Sequence, residues 1–218
     1  MTRVLRLKDL EFSIDYAELT GHLNGAVEYD GTGCANSWYL EVKGEGKLFG
    51  DEQISQILSP RFYWSLPINI DDWRKLDGVR LSFDLETDDD EDDAPFFYLC
   101  AHLELPRTEL HLGRRQANAF SLHWSGLADA NWDEQYGDSM PFSMEFPIEF
   151  TNQEVCFWQV GDDESQNDEY VEAMAREIMK TRGLSDEALR FSHWERMRNE
   201  SDDYHYRWIR AMFIPMVE

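Results

Sequence analysis

Along most of the first 160 residues, apolar and polar side chains alternate with a period of two, the pattern of half-buried strands. The segment 142–150 shows it most cleanly. Phe142, Met144, Phe146, Ile148 and Phe150 share one face, and Ser143, Glu145, Pro147 and Glu149 share the other. Similar alternation occupies 10–16, 23–29, 38–42, 62–70, 81–85, 97–105 and 120–124. One polar face per strand predicts antiparallel sheets solvated on one side. Two such sheets packed face to face bury the apolar sides, so a β-sandwich is the expected architecture, with an incomplete β-barrel as the alternative. Pro147 has no backbone donor and argues for a sheet edge or a bulge at that point. Leu105-Pro106-Arg107-Thr108 reads as a tight turn joining two strands.

After Val160 the period changes. Residues 162–168 are a polar connector. Tyr170, Val171, Met174 and Ile178 then recur at helical spacing, with Gly183 as the stop. A second helix is expected from Ser185. Ser185 suits its cap, Asp186 and Glu187 suit the positive end of its dipole, and Leu184 can staple onto Leu189. Leu189, His193 or Trp194, and Met197 would be its apolar stripe. The segment 204–214 fits a helix or a strand equally. The expected organisation is a sandwich over 1–161 and a helical C-terminal segment, 162–218, packed on the sheet within one domain.

Composition adds the charge. The chain of 218 residues holds 44 Asp and Glu against 20 Lys and Arg, a formal charge of −24. Between 116 and 175 there are thirteen acids and no Lys or Arg, and a second acidic run covers 88–93. Phosphate contacts need a cationic footprint, so nucleic acid and anionic membrane are not expected partners. A field of this sign steers cationic partners. It also serves solubility. The run 88–93 lacks the glycine and final Glu spacing of a calcium-binding EF-hand loop and reads as a solvated connection. The 30 aromatic residues exclude a disordered chain. Arg3, Arg6, Lys8 and Asp9 interrupt any apolar core of a signal peptide at the start. Cys34, Cys100 and Cys156 are odd in number and form no CxxC pair, so a disulfide framework is not expected and a reducing cytoplasm is the default.

The familiar catalytic motifs are missing. There is no GxxxxGK[ST] loop, no GxSxG elbow and no HExxH helix, and Gly44-Glu45-Gly46 has no third glycine in register. Glu145 and Glu149 on one strand face would stand roughly 13 Å apart, beyond the reach of paired-carboxylate glycoside hydrolysis. Two constellations remain. A two-residue turn at Pro106-Arg107 would set His102 opposite His111, with His123 on the polar face of the next strand, giving three imidazoles in a row and a zinc-type ligand set. The segment 128–138 places Trp132 and Tyr136 among Asp129, Asp133, Glu134 and Asp138, an aromatic anchor with an anionic rim.

The leading reading is a non-enzymatic acidic protein that neutralises a basic partner protein, with an immunity protein against a cationic toxin such as a nuclease as its concrete version. No cofactor is expected on that reading. A β-sandwich module for carbohydrate or another small ligand, and a His-based metalloenzyme, are the alternatives.

Overall fold

The computed structural model describes residues 3–25, 35–50, 55–87, 94–99, 102–129, 139–158, 167–197 and 208–217. Strands predominate, and one α-helix is present among these residues. In chain order the strands are β1 (Val4–Leu7), β2 (Leu10–Asn24), β3 (Asn36–Gly44), β4 (Lys47–Gly50), β5 (Ser55–Leu58), β6 (Arg61–Leu66) and β7 (Arg80–Asp84). They continue with β8 (Phe96–Tyr98), β9 (His102–Glu104), β10 (Arg107–Gln116), β11 (Ala119–Ala128) and β12 (Met140–Trp158). The helix α1 (Asp168–Thr181) precedes β13 (Leu189–Met197) and β14 (Trp208–Pro215), and a 3-10 turn covers Trp73–Leu76.

The chain forms two compact units. The first comprises Met1–Leu19, Tyr39–Leu66 and Asp77–Glu149, so β2, β3 and β12 each contribute one part of their length to it. Its strand order is β7-β10-β11-β12-β1-β2-β3-β6-β8-β9. The order has two ends, β7 and β9, so the sheet is not closed into a barrel. It is a sandwich, because strands distant in that order pack face to face. The Phe62 ring of β6 lies 5.6 Å from Trp124 of β11 and 4.8 Å from Phe142 of β12, and Trp64 stacks on Trp124 at 6.0 Å. Burial alternates strictly from Met140 to Phe150, as the sequence pattern predicts. β12 is an interior strand with unbroken register to β11, so the bulge expected at Pro147 is not formed. Pro147 instead lies past the last β1 pair, Leu5↔Met144, where β12 has lost that neighbour.

Three local expectations are corrected in this unit. The segment 97–105 is two short strands, β8 and β9, paired antiparallel with Phe97 opposite Leu103. The strand expected over 62–70 ends at Leu66, ahead of Pro67. Leu105 to Thr108 is no hairpin turn: β9 pairs with β8, while β10 pairs with β7 and β11.

The second unit comprises Thr20–Trp38, Pro67–Leu76 and Phe150–Glu218. β14 pairs along β12 from Gln153↔Phe213 to Trp158↔Trp208, and β13 flanks β14. Trp38 and Trp73 close on Phe150 at 5.8 and 5.2 Å. The helix follows the sequence signal. The Asn167 side chain accepts from the Tyr170 N–H at 2.9 Å, and Val171, Ala175 and Met179 are fully buried. Gly183 ends it at φ 73°, a conformation that glycine adopts without strain.

The second helix is not formed. Leu184 onward makes a turn closed by Leu189 N–H to Asp186 O at 3.0 Å, and then the strand β13. Asp186, expected at a helix N-terminus, is instead held by Arg176 at 2.6 Å. A register shift between Phe191 and His193 breaks the strand parity, which is why Leu189, Trp194 and Met197 mimic a helical stripe. The segment 162–218 therefore contributes one helix and two strands among its described residues.

Asp72 is a buried charge in this unit. Burial alone would raise its pKa, but the Arg74 guanidinium at 3.0 Å and the Arg74 N–H at 2.8 Å outweigh it and hold the carboxyl below its ordinary 3.8. Its contribution to stability is thus complete above about pH 4 and lost as pH falls through the lowered folded value. Acid unfolding followed by circular dichroism is expected to show this component in the wild type and not in Asp72→Asn.

Candidate functional site

The outward face of the first unit collects several residues that the sequence singles out. His111 and His123 are direct cross-strand partners, as expected. The third place in the row is not His102, which lies on β9 opposite Tyr98. The row continues instead to Glu145 on β12 and to Arg80 on β7. It therefore mixes two imidazoles with an ion of each sign. The three-histidine row fails because the 105–108 segment leads from one strand pair to another and sets no hairpin register.

One pair further along, the β10–β11 register shifts between Leu112 and Arg115. Gly113 and Arg114 both fall opposite Ser121. A Cβ on Gly113 would stand 2.3 Å from the Ser121 hydroxyl oxygen, so a larger residue there would force the Ser121 side chain to turn. Arg114 stands exposed at the bulge. Beside it opens a groove of about 540 Å³ bordered by Arg3, Arg6, Arg114 and Glu145, with Phe146 and Pro147 among its apolar lining. Arg6 is already paired with Glu11 at 3.0 Å, and Arg3 lies over the Phe146 ring at 5.8 Å. In a chain with so large an acid excess, this face is locally cationic. A carboxylate or phosphate carried on an apolar body matches its chemistry.

Of the acidic, aromatic segment, Asp129 is described, and Trp132, Asp133, Glu134, Tyr136 and Asp138 lie outside the described residues. Asp129 accepts a hydrogen bond from the Ser139 N–H at 2.7 Å. It thereby ties the end of β11 to the start of β12, a structural task for a residue expected on the binding rim. The acid run 88–93, Cys34 and Cys100 also lie outside the described residues.

The second unit presents two features. Trp158 and Trp208, directly paired across β12 and β14, bring their rings to 3.9 Å between centroids, and Trp158 is 39% exposed. Elsewhere, His22 on β2 meets Glu154 and Cys156 on β12, and their donor atoms lie within 4.8 Å of one another. It is the one such group of three among the described residues. Sequence reading misses it because His22 and Cys156 are 134 positions apart. The only local signal is that Glu154 and Cys156 share strand parity.

No helix among the described residues is long and apolar enough to cross a membrane. No protein-family model, curated protein or solved structure matches the chain.

Proposed function

We propose that this is a non-enzymatic acidic binding protein that neutralises a basic partner protein in the cytoplasm, in its concrete form an immunity protein against a cationic toxin such as a nuclease. The observation that carries the reading is the Trp158–Trp208 pair. An indole pair with one exposed member, Trp158, is an anchor of the kind that dominates protein interfaces and attracts guanidinium or ammonium groups. Acids lie close to both residues in the sequence. Trp158 precedes Asp162-Asp163-Glu164, and Trp208 follows Glu200, Asp202 and Asp203. Acidic charge near an anchor speeds encounter with a cation and discriminates against anions, while the rings set residence time. A sugar stacked on Trp158 is the second reading, favoured by the same exposed ring.

Surface plasmon resonance against a panel of small basic nucleases, with polylysine as control, separates these. A specific partner is expected to associate more slowly as salt rises, since charges beyond about 8 Å are screened at physiological ionic strength. Reversing Asp162, Asp163 and Glu164 together to Lys is expected to slow association by roughly tenfold or more. Trp158→Ala is expected to speed dissociation about 30-fold, equivalent to roughly 2 kcal/mol. Glu109→Lys, at an exposed position on β10 in the first unit, is the control with little effect. Binding no stronger than that of polylysine, or rates indifferent to salt, would remove the reading. Salt-insensitive retention of an oligosaccharide that Trp158→Ala abolishes would install the second.

A further inference from the structure

We propose that His22, Glu154 and Cys156 form a binding site for a zinc-class divalent metal ion. The donor set is the first argument. An imidazole, a thiol and a carboxylate are the three side-chain types that zinc takes, and three protein ligands leave a fourth position for water or an exogenous group. Geometry is the second. Tetrahedral zinc with bonds of about 2.0–2.3 Å sets its ligands roughly 3.3–3.6 Å apart. His22 Nε2 and Cys156 Sγ already stand 3.4 Å apart. All three donors lie within 4.8 Å of one another, so closure onto an ion requires side-chain movement of about an ångström.

The fold holds the donors in place. β12 has β2 on one side and β14 on the other. Glu154 and Cys156 project from one face of β12, and His22 reaches them from β2. At Gly21, next to His22, a Cβ would lie 2.0 Å from the Gln153 side-chain oxygen, so the glycine leaves room for the buried Gln153 side chain. Burial pushes the His22 imidazole below its ordinary pKa and so favours the neutral ring, the form that ligates a metal. The Cys156 thiol loses its proton to solvent as the metal–sulfur bond forms.

Arg210, opposite Cys156 in register, is the competing cation. Its Nε lies 3.4 Å from a Glu154 oxygen, and its Nη1 lies 3.9 Å from Glu195. Loading the site transfers Glu154 from the guanidinium to the metal, with Glu195 left to hold Arg210. Removing the guanidinium should therefore tighten metal binding, the opposite of what loss of a merely structural ion pair would do.

The test is titration of the full chain with Co²⁺ and then Zn²⁺, in a Cys34→Ser, Cys100→Ser background that leaves Cys156 as the one thiol. A near-ultraviolet thiolate-to-cobalt charge-transfer band is expected to saturate and to be displaced by zinc. Changes outside the ligand set cost roughly 10–100-fold in affinity, so loss of a ligand in His22→Gln or Cys156→Ser should cost at least tenfold. The band should vanish in Cys156→Ser, and Arg210→Gln should raise affinity. Zinc should also raise the melting temperature of the wild-type chain and not that of Cys156→Ser, a readout independent of the serine background. A folded chain with no band and no zinc-dependent melting shift overturns the site. So does a shift that survives both ligand replacements, which would place the metal on other histidines.

Discussion

Replacing Trp124 by alanine is expected to lower the unfolding free energy by about 3–5 kcal/mol, the cost of emptying a large aromatic site in a packed core. Trp124 is fully buried in the first unit. Its ring meets Trp64, Phe62 and Phe142 from both layers of the sandwich, so truncation opens the cavity where the layers join. The indole also donates to the Thr108 hydroxyl at 2.6 Å, and that hydroxyl donates to Ser125 O at 3.1 Å. Trp124→Phe separates the two contributions. It keeps most of the ring and loses the hydrogen bond, which is worth about 1 kcal/mol. Thr108 is not orphaned by that change, since its own donor still has Ser125. Urea midpoints by circular dichroism, at unchanged slope, provide the measurement. If Trp124→Ala shifts the midpoint no further than Trp158→Ala does, Trp124 does not join the two layers.

Gly126→Ala is expected to cost about 1–3 kcal/mol or more, by overpacking rather than by a cavity. Gly126 is the register partner of Thr108. A Cβ there would stand 2.2 Å from Arg107 O and 2.8 Å from Thr108 Cα. Both obstacles are backbone, so relief requires the β10–β11 ladder to splay at the place where Thr108 holds Trp124. The effect should couple to Trp124→Phe in a double-mutant cycle, because both changes act through Thr108. Additivity within about 0.5 kcal/mol would show that the ladder yields without disturbing that hydrogen bond.

The sandwich was legible because one-sided burial writes itself into parity. Phe142, Met144, Phe146, Ile148 and Phe150 carry that signal without interruption, and no bulge disturbs them. Where a bulge intervenes, the same reasoning fails. The shift after Phe191 converts strand parity into apparent helical spacing, and Ser185, Asp186 and Glu187 then look like a cap. Their real partners are non-local: Ser185 N–H bonds to Asp71 O at 2.7 Å, and Asp186 binds Arg176. The histidine row was half legible. His111 and His123 follow from alternation, whereas the neighbour beyond them depends on strand order, which parity does not encode. The cluster of His22, Glu154 and Cys156 depends on strand order altogether. For the same reason the locally cationic groove, drawn from β1, β10, β11 and β12, is invisible in the charge count.

β12 takes β1 as a partner at Leu5↔Met144 and β14 at Trp158↔Trp208. On the ribosome the first of these partners is already made when β12 emerges, and the second is not. At about 5–20 residues per second, synthesis from Trp158 to Pro215 takes roughly 3–11 s. Throughout that interval the distal half of the longest strand presents an unpaired edge, a template for association with neighbouring nascent chains. Translation rate and chaperone access while residues 158–215 are made therefore bear on the yield of folded protein, independently of the stability it finally attains.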